Sequence, residues 1–151
     1  MVCFSEVPNI QRKTTNSFEL ALSVLFLSGI QHFAEVPEGM AKVSTEVQQI
    51  LKDVPVAWDE SKFVNGYPGK YVVIARRKGS AWYIAGINGE PTEKRLSLNL
   101  GFIGNSESSM RITCGAGSRS FEICTDWIDV KQPLKIVMKS NDGFLLKLLT
   151  E

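Results

Sequence analysis

The sequence predicts an α+β protein that is mainly β, in which two helices are followed by an antiparallel two-sheet β-sandwich. Two observations support this fold class. Apolar residues recur at helical spacing as far as Asp53, whereas after Pro55 they alternate with polar residues in short runs. Turn sequences such as Asn65-Gly66 and Asn88-Gly89 separate these runs. Several short strands at such spacing are typical of a sandwich.

Length and composition limit the function classes. The chain has 151 residues, of which 44% are hydrophobic, so it is long enough for one domain, or one domain with an appendage. Seventeen Lys and Arg against 16 Asp and Glu give a net charge of +1. This charge does not attract nucleic acid or an anionic membrane, and we expect neither as a partner.

The first helix is predicted from 17 to about 30, with Asn16 and Glu19 as a capping box. Its residues leave almost no polar face, and a helix that is apolar on nearly all sides is normally covered from several directions. We therefore expect it to contact more protein than this chain supplies, or a second copy. The candidate interface residues on it are Phe18, Leu22, Leu25 and Phe26.

The second helix is predicted to start at Ser44, which can cap it, and to end at Asp53. The residue before a proline is disfavoured in the helical region, so Pro55 stops the helix. We place a domain boundary here, between residues 1–53 and residues 54–151.

The sandwich is predicted around a central hairpin whose two apolar strands flank the turn Lys78-Gly79-Ser80. In chain order, the eight predicted strands are 56–62, 70–77, 82–87, 95–100, 110–114, 120–125, 134–138 and 144–149. A turn is also predicted at 115–117, and a hairpin turn at Asn141-Asp142-Gly143.

Metal and export signals are absent from the sequence. The three cysteines Cys3, Cys114 and Cys124 have no CxxC spacing, and His32 is the single histidine, so we expect no metal site and no cofactor in this chain. Residues 1–6 lack the basic start of a signal peptide. The most apolar window, 18–30, is too short to span a bilayer, which predicts a soluble chain.

No catalytic residue is predicted. Asp59 and Glu60 are adjacent, and alternation along a strand would point them to opposite faces, so they cannot flank one substrate bond. Aromatic side chains leave a binding role open. Weak candidates for contact with a carbohydrate are Trp58, Asp59, Trp82 and Trp127, although packing in the core or between domains is the favoured role of Trp58.

Three blocks, read in order, resemble the C-terminal end of glycoside hydrolase family 97, a family of α-glucosidases and α-galactosidases. The first block covers 12–34. The second covers 54–60 and continues through 66–71 to Ala75-Arg76-Arg77. The third is Trp82-Tyr83-Ile84-Ala85-Gly86-Ile87-Asn88-Gly89, with Asp142-Gly143-Phe144 in a closing strand. Leu27 departs from the pattern, which has an acidic residue there.

The resemblance implies a part of a larger enzyme. Family members carry an N-terminal β-sandwich, a catalytic (β/α)8 barrel and a C-terminal β-sandwich. Residues 1–53 would then be the last loop, last helix and exit helix of the barrel, and 54–151 the C-terminal sandwich. The family's catalytic carboxylates and calcium-binding glutamates lie earlier in the barrel. No position here matches them, so the resemblance implies that this chain is inactive alone. The parent type is usually periplasmic and hydrolyses α-glucosides or α-galactosides.

Three functions remain as hypotheses. The first is a noncatalytic C-terminal region that braces the barrel domain of the parent enzyme and supports oligomerisation. The alternative is a carbohydrate-binding β-sandwich module. The third is an assembly module in which the first helix binds a second copy of the chain. The sequence does not distinguish glucosides from galactosides, or retention from inversion.

Overall fold

The structure is a computed structural model that describes Phe4 and residues 12–150, apart from the side chain of Glu107. Cys3 and most of the lead-in before Asn16 lie outside the described residues. The described helices are α1 (Asn16–Leu25), α2 (Pro37–Met40) and α3 (Thr45–Asp53). The strands are β1 (Glu60–Tyr67), β2 (Tyr71–Lys78), β3 (Ala81–Asn88), β4 (Lys94–Leu98), β5 (Ser106–Cys114), β6 (Phe121–Cys124), β7 (Leu134–Met138) and β8 (Asp142–Thr150).

The strands form two antiparallel sheets. The larger has six strands in the order β1-β2-β3-β8-β5-β6, and the smaller pairs β4 with β7. The prediction of an antiparallel two-sheet β-sandwich with helices before it is therefore confirmed. All eight predicted strands are present, but β1 begins at Glu60 rather than at residue 56.

Alternation along β3 divides the interior into two cores. Tyr83 and Ala85 face the helices, where they pack with the buried residues of α1 and α3. Trp82 and Ile84 face the other way and pack with the buried residues of β4 and β7. The molecule thus has three layers, with the large sheet between the helices and the small sheet.

The turn of the central hairpin follows the prediction. Lys78 pairs with Ala81, which leaves Gly79 and Ser80 as the turn. Gly79 has a φ of 57°, which glycine adopts without the steric penalty of a side chain. The turn at Asn141, by contrast, does not close a hairpin. It joins β7 to β8, which belong to different sheets, so the chain crosses between layers there.

The helix bounds differ from the predictions in three ways. Thr15, not Asn16, caps α1, because its Oγ1 accepts a hydrogen bond of 3.1 Å from the Phe18 amide. Helix α1 ends at Leu25, five residues before the predicted end. The short helix α2 was not predicted. It begins at Pro37, whose fixed φ suits a first helical turn.

One buried carboxylate joins α1 to the large sheet. Asp142 Oδ1 accepts hydrogen bonds of 2.7 Å from the hydroxyls of Thr15 and Ser17, and one of 2.8 Å from the Gly143 amide. Its Oδ2 accepts a hydrogen bond of 3.0 Å from the amide of Lys139. The start of α1 is therefore tied to the first residues of β8.

Candidate interaction surface

The segment between α1 and α2 exposes a cluster of large apolar side chains. Phe26, Leu27, Ile30 and Val36 are exposed by 57%, 69%, 69% and 56%. We call these four residues the apolar loop surface. Single exposed apolar residues are ordinary, whereas several on one short segment make it a candidate contact site for another protein surface.

Side chains from outside the helix satisfy the last carbonyls of α1 and so fix where this segment starts. The Gln31 amide donates to the carbonyl of Ser23 at 3.0 Å. The Arg76 guanidinium donates to the carbonyl of Leu25, also at 3.0 Å. The final carbonyls of a helix have no partner inside it, so these two bonds stabilise an end at Leu25.

Arg76 is the more unusual of the two. It is only 4% exposed, and its second terminal nitrogen donates to Ser61 Oγ at 3.0 Å. Within the described part of the chain it forms no ion pair with a carboxylate. Burial lowers the pKa of the guanidinium. A cation at a helix C-terminus is nevertheless favourable, because that end of the helix dipole is negative.

A groove of about 510 Å³ adjoins the apolar loop surface. Leu22 of α1 forms part of its lining, and the other lining residues belong to the connection towards α2. They are Phe26, Ser28, Ile30, Gln31, His32, Phe33 and Ala34. The lining combines apolar side chains with a few hydrogen-bonding groups, a composition found at protein–protein contacts.

The four predicted interface residues differ in exposure. Phe18 and Leu22 are half-buried, Leu25 is buried in the core beneath the helix, and Phe26 is exposed. The sheet packs against one side of α1 and buries it. The exposed apolar area therefore lies at the C-terminal end of the helix and beyond it.

The residues predicted to contact carbohydrate do not converge on one pocket. Trp58 is half-buried, with its ring 5.3 Å from that of Tyr83 in an edge-to-face arrangement. Neighbouring Asp59 is exposed and accepts hydrogen bonds of 2.8 Å from the Lys78 ammonium and from the Gly79 amide. These two bonds hold the pKa of Asp59 below its usual value.

The other two tryptophans lie elsewhere. Trp82 is buried between the sheets, with its ring 5.4 Å from that of Phe102. Trp127 is exposed, in the connection from β6 to β7. Each of the three tryptophans therefore lies in a different environment.

Sequence reasoning missed a second apolar groove, at the β1–β2 end of the large sheet. Its volume is about 450 Å³, and its lining includes the exposed rings of Phe63 and Tyr67. The sequence pattern did not reveal this groove, because the strand register shifts between Phe63 and Asn65. Such a bulge interrupts the alternation from which facing residues are predicted.

A small polar cluster fastens α3 to the sheet. Lys147 donates to Asp53 at 2.8 Å, and the Tyr83 hydroxyl lies 3.4 Å from the Asp53 carbonyl oxygen. The hydrogen bond from Lys147 holds the pKa of Asp53 below its usual value. Burial alone would lower the pKa of Lys147, but the bond to Asp53 and the nearby charges raise it. Burial raises the pKa of Tyr83.

We expect this pair to make a small, pH-dependent contribution to stability. Because the pKa of Asp53 is lowered on folding, its contribution is complete above the unfolded-state pKa and is lost as the pH falls through the folded-state value. The pair is partly exposed, so the loss should stay below about 1 kcal/mol. Urea unfolding between neutral and acidic pH measures it. Lys147→Met should reduce the loss of stability at acidic pH. Lys135→Met, at an exposed position of β7, should leave this loss unchanged. Equal dependence of stability on pH in the two variants would contradict the assignment.

The described residues lack both a metal-binding cluster and a membrane-spanning helix. No group of three or more His, Cys, Asp or Glu side chains among them is arranged to hold a metal ion. None of the helices in the described ranges is long and apolar enough to cross a membrane.

The fold and the apolar loop surface define the class of protein, a helix-backed antiparallel β-sandwich with an exposed apolar surface. Comparison with protein families then gives a match over residues 57–149 to the family described as glycosyl-hydrolase 97 C-terminal, oligomerisation. The match covers more than half of the chain. The chain therefore belongs to this C-terminal family of the family 97 glycoside hydrolases, which confirms the resemblance seen in the sequence.

Individual relatives are glycosidases. The chain is 26% identical to a retaining α-galactosidase from Bacteroides thetaiotaomicron, over 97% of this chain and 22% of the relative. It is 37% identical to a probable retaining α-galactosidase from Streptomyces bingchenggensis, over 52% of this chain and 12% of the relative. The chain thus spans about a fifth or less of the length of these relatives.

Solved structures agree with the fold. A crystal structure of a β-arabinopyranosidase matches with a TM-score of 0.81 and 32% identity, over 90% of this chain and 21% of that one. A family 97 enzyme from Pseudoalteromonas sp. strain K8, in complex with panose, matches with a TM-score of 0.77 and 23% identity, over 90% and 22% of the two chains. The second likeness is evidence for the fold alone.

Proposed function

We propose that this chain is the noncatalytic C-terminal region of a family 97 glycoside hydrolase and that it braces the catalytic barrel through the apolar loop surface. In the isolated chain, the same surface would bind a second copy. The observation that carries the proposal is the group of four large apolar side chains, each more than half exposed, at the end of α1. Water contact with so much apolar area is unfavourable, so a protein surface that covers it stabilises the assembly.

A larger partner is consistent with the relatives. The retaining α-galactosidase that aligns with nearly the whole of this chain is matched over only 22% of its own length. We assign residues 1–53 to the end of the barrel and 54–151 to the sandwich. In this assignment α1 contacts the sandwich on one side, through the core it shares with β3 and β8, and the barrel beyond its C-terminal end. The names of the relatives favour α-galactosides as the substrates of the complete enzyme.

Five of the described carboxylates have structural partners, which supports a noncatalytic role. Glycoside hydrolysis ordinarily needs two carboxyl groups on either side of the bond, roughly 5 to 9.5 Å apart. Here the carboxylates of Asp53, Asp59, Glu60 and Glu90 form ion pairs with lysine or arginine. Asp142 is buried and holds α1. Hydrolysis of 4-nitrophenyl α-galactoside by the purified chain would contradict the proposal.

The proposed self-association is tested by placing a charge on the apolar loop surface. Phe26→Glu should convert an associating chain into a monomer, because the buried contact would then enclose an unpaired carboxylate. Sedimentation velocity at several concentrations measures the change. Phe26 lies outside α1 and is exposed, so the variant should fold normally.

Val137→Glu is the matched control. Val137 is 47% exposed on β7, in the small sheet on the opposite side of the large sheet from the helices. This variant should sediment like the unmodified chain. If Phe26→Glu also sediments like the unmodified chain as an oligomer, the apolar loop surface is not the contact.

A further inference from the structure

We propose that Trp127 and the polar side chains beside it form a binding site for one pyranose unit of a glycan, which no comparison assigns. Trp127 is 69% exposed, whereas Trp82 is buried and Trp58 is packed against Tyr83. Its indole nitrogen donates to the carbonyl of Ser106 at 3.2 Å. One edge of the ring is thus anchored while much of the ring remains in contact with solvent.

Local hydrogen bonds hold the segment that carries this ring. The hydroxyl of Ser109 donates to the carbonyl of Asp126. The Lys131 amide donates to Asp129 Oδ1 at 3.0 Å, and the Gln132 amide donates to the Asp129 carbonyl at 3.1 Å. A ring that is already fixed loses little conformational freedom when a ligand stacks on it, which favours binding.

A small cavity adjoins the ring. It measures about 260 Å³, and Asn105, Asp129 and Lys131 are among its lining residues. The side chains of Asn105 and Lys131 make no hydrogen bond or ion pair with the rest of the described chain. Residues that carry an amide, a carboxylate and an ammonium group therefore line the same cavity as an exposed aromatic residue.

This combination matches the chemistry of a pyranose. A sugar ring has faces with C–H groups, which pack against the negative face of an aromatic ring. Its edge carries hydroxyl groups, which donate to carboxylates and amide oxygens and accept from amide and ammonium groups. A protein partner would need a broader apolar area than a single ring beside a cavity of this size.

The position leaves the site accessible when the apolar loop surface is covered. Ile128 and Val130, which also line the cavity, pack with the core of the small sheet. The apolar loop surface directly follows α1, whose buried residues pack on the other side of the large sheet. The sugar site is therefore independent of the proposed contact with the barrel, and either proposal can fail without the other.

Ligand-observed saturation-transfer NMR with methyl α-D-galactopyranoside tests this site, with panose as a second probe. We expect binding in about the millimolar range, as is reasonable for one stacked ring and a few hydrogen bonds. Trp127→Ala should weaken binding by about threefold to tenfold, which corresponds to the loss of one aromatic contact. Trp127→Phe should retain a ring and most of the affinity.

Val56→Ala is the control, because Val56 is 52% exposed, precedes β1 in the chain and lines neither this cavity nor the two grooves described above. It should bind like the unmodified chain. Absence of binding by the unmodified chain, or equal affinity of Trp127→Ala, would overturn the proposal. A change in the solution mass of Trp127→Ala would also overturn it, since that result assigns the exposed ring to a contact between chains.

Discussion

Replacing Asp142 with alanine should lower the free energy of unfolding by about 3 to 5 kcal/mol, a large share of the stability of a domain of this size. The carboxylate accepts four hydrogen bonds, from the hydroxyls of Thr15 and Ser17 and from the amides of Lys139 and Gly143. Removing it leaves buried donors without a partner. A buried donor without a partner costs more than the net value of its bond, so the expected loss is large.

Urea unfolding followed by circular dichroism measures this effect. Asp142→Asn retains the shape and one acceptor oxygen, so we expect it to cost less than alanine, about 1 to 2 kcal/mol. Asp59→Ala is the control, because Asp59 is exposed and its ion pair with Lys78 lies at the surface. It should have a much smaller effect than Asp142→Ala, because an ion pair at the surface contributes little to stability. If Asp142→Ala costs no more than Asp59→Ala, Asp142 does not hold α1.

The second large effect is expected from Gly143→Ala. A methyl group at this position would lie 2.8 Å from the Cα of Phe18, 2.8 Å from the carbonyl oxygen of Gly86 and 3.1 Å from the carbonyl oxygen of Ser17. All three are backbone atoms and cannot rotate away. Helix α1 would therefore have to move off the sheet, at a cost of about 2 to 3 kcal/mol, as for other overpacked cores.

Gly104→Ala is the matched control for this substitution. A methyl group there meets no atom within 4 Å. It should change the free energy of unfolding by about 0.5 kcal/mol or less. Hydrogen exchange gives a second measurement, since amides of α1 should exchange faster in Gly143→Ala than in Gly104→Ala. Equal stability of the two variants would contradict the close approach of α1 to β8.

The strands were predictable because the information for them is local. Alternation and turn residues placed all eight, and glycine at position 79 marked the central hairpin. The role of Asp142 was not predictable in this way. Its partners Thr15 and Ser17 lie 127 and 125 residues earlier, and in the sequence Asp142 is one residue of a turn. Only the folded chain brings the three together.

The candidate surface was predicted only in outline. The apolar character of residues 17–30 indicated a contact site, but the helix ends at Leu25 because Arg76 and Gln31 bind its last carbonyls. Both contacts depend on side chains outside the helix. The exposure of the tryptophans was not predictable for the same reason. Trp127 is exposed because no layer of the fold covers it, and its neighbours in the sequence do not carry that information.

The central claim is that the apolar loop surface binds another protein surface, and in the isolated chain a second copy. The solution mass of the unmodified chain, measured by light scattering across a dilution series, tests this claim most directly. One chain has a mass of 16.8 kDa. The proposal predicts twice this mass at high concentration and a decrease towards the mass of the monomer on dilution. A monomer mass at every concentration would contradict self-association through this surface.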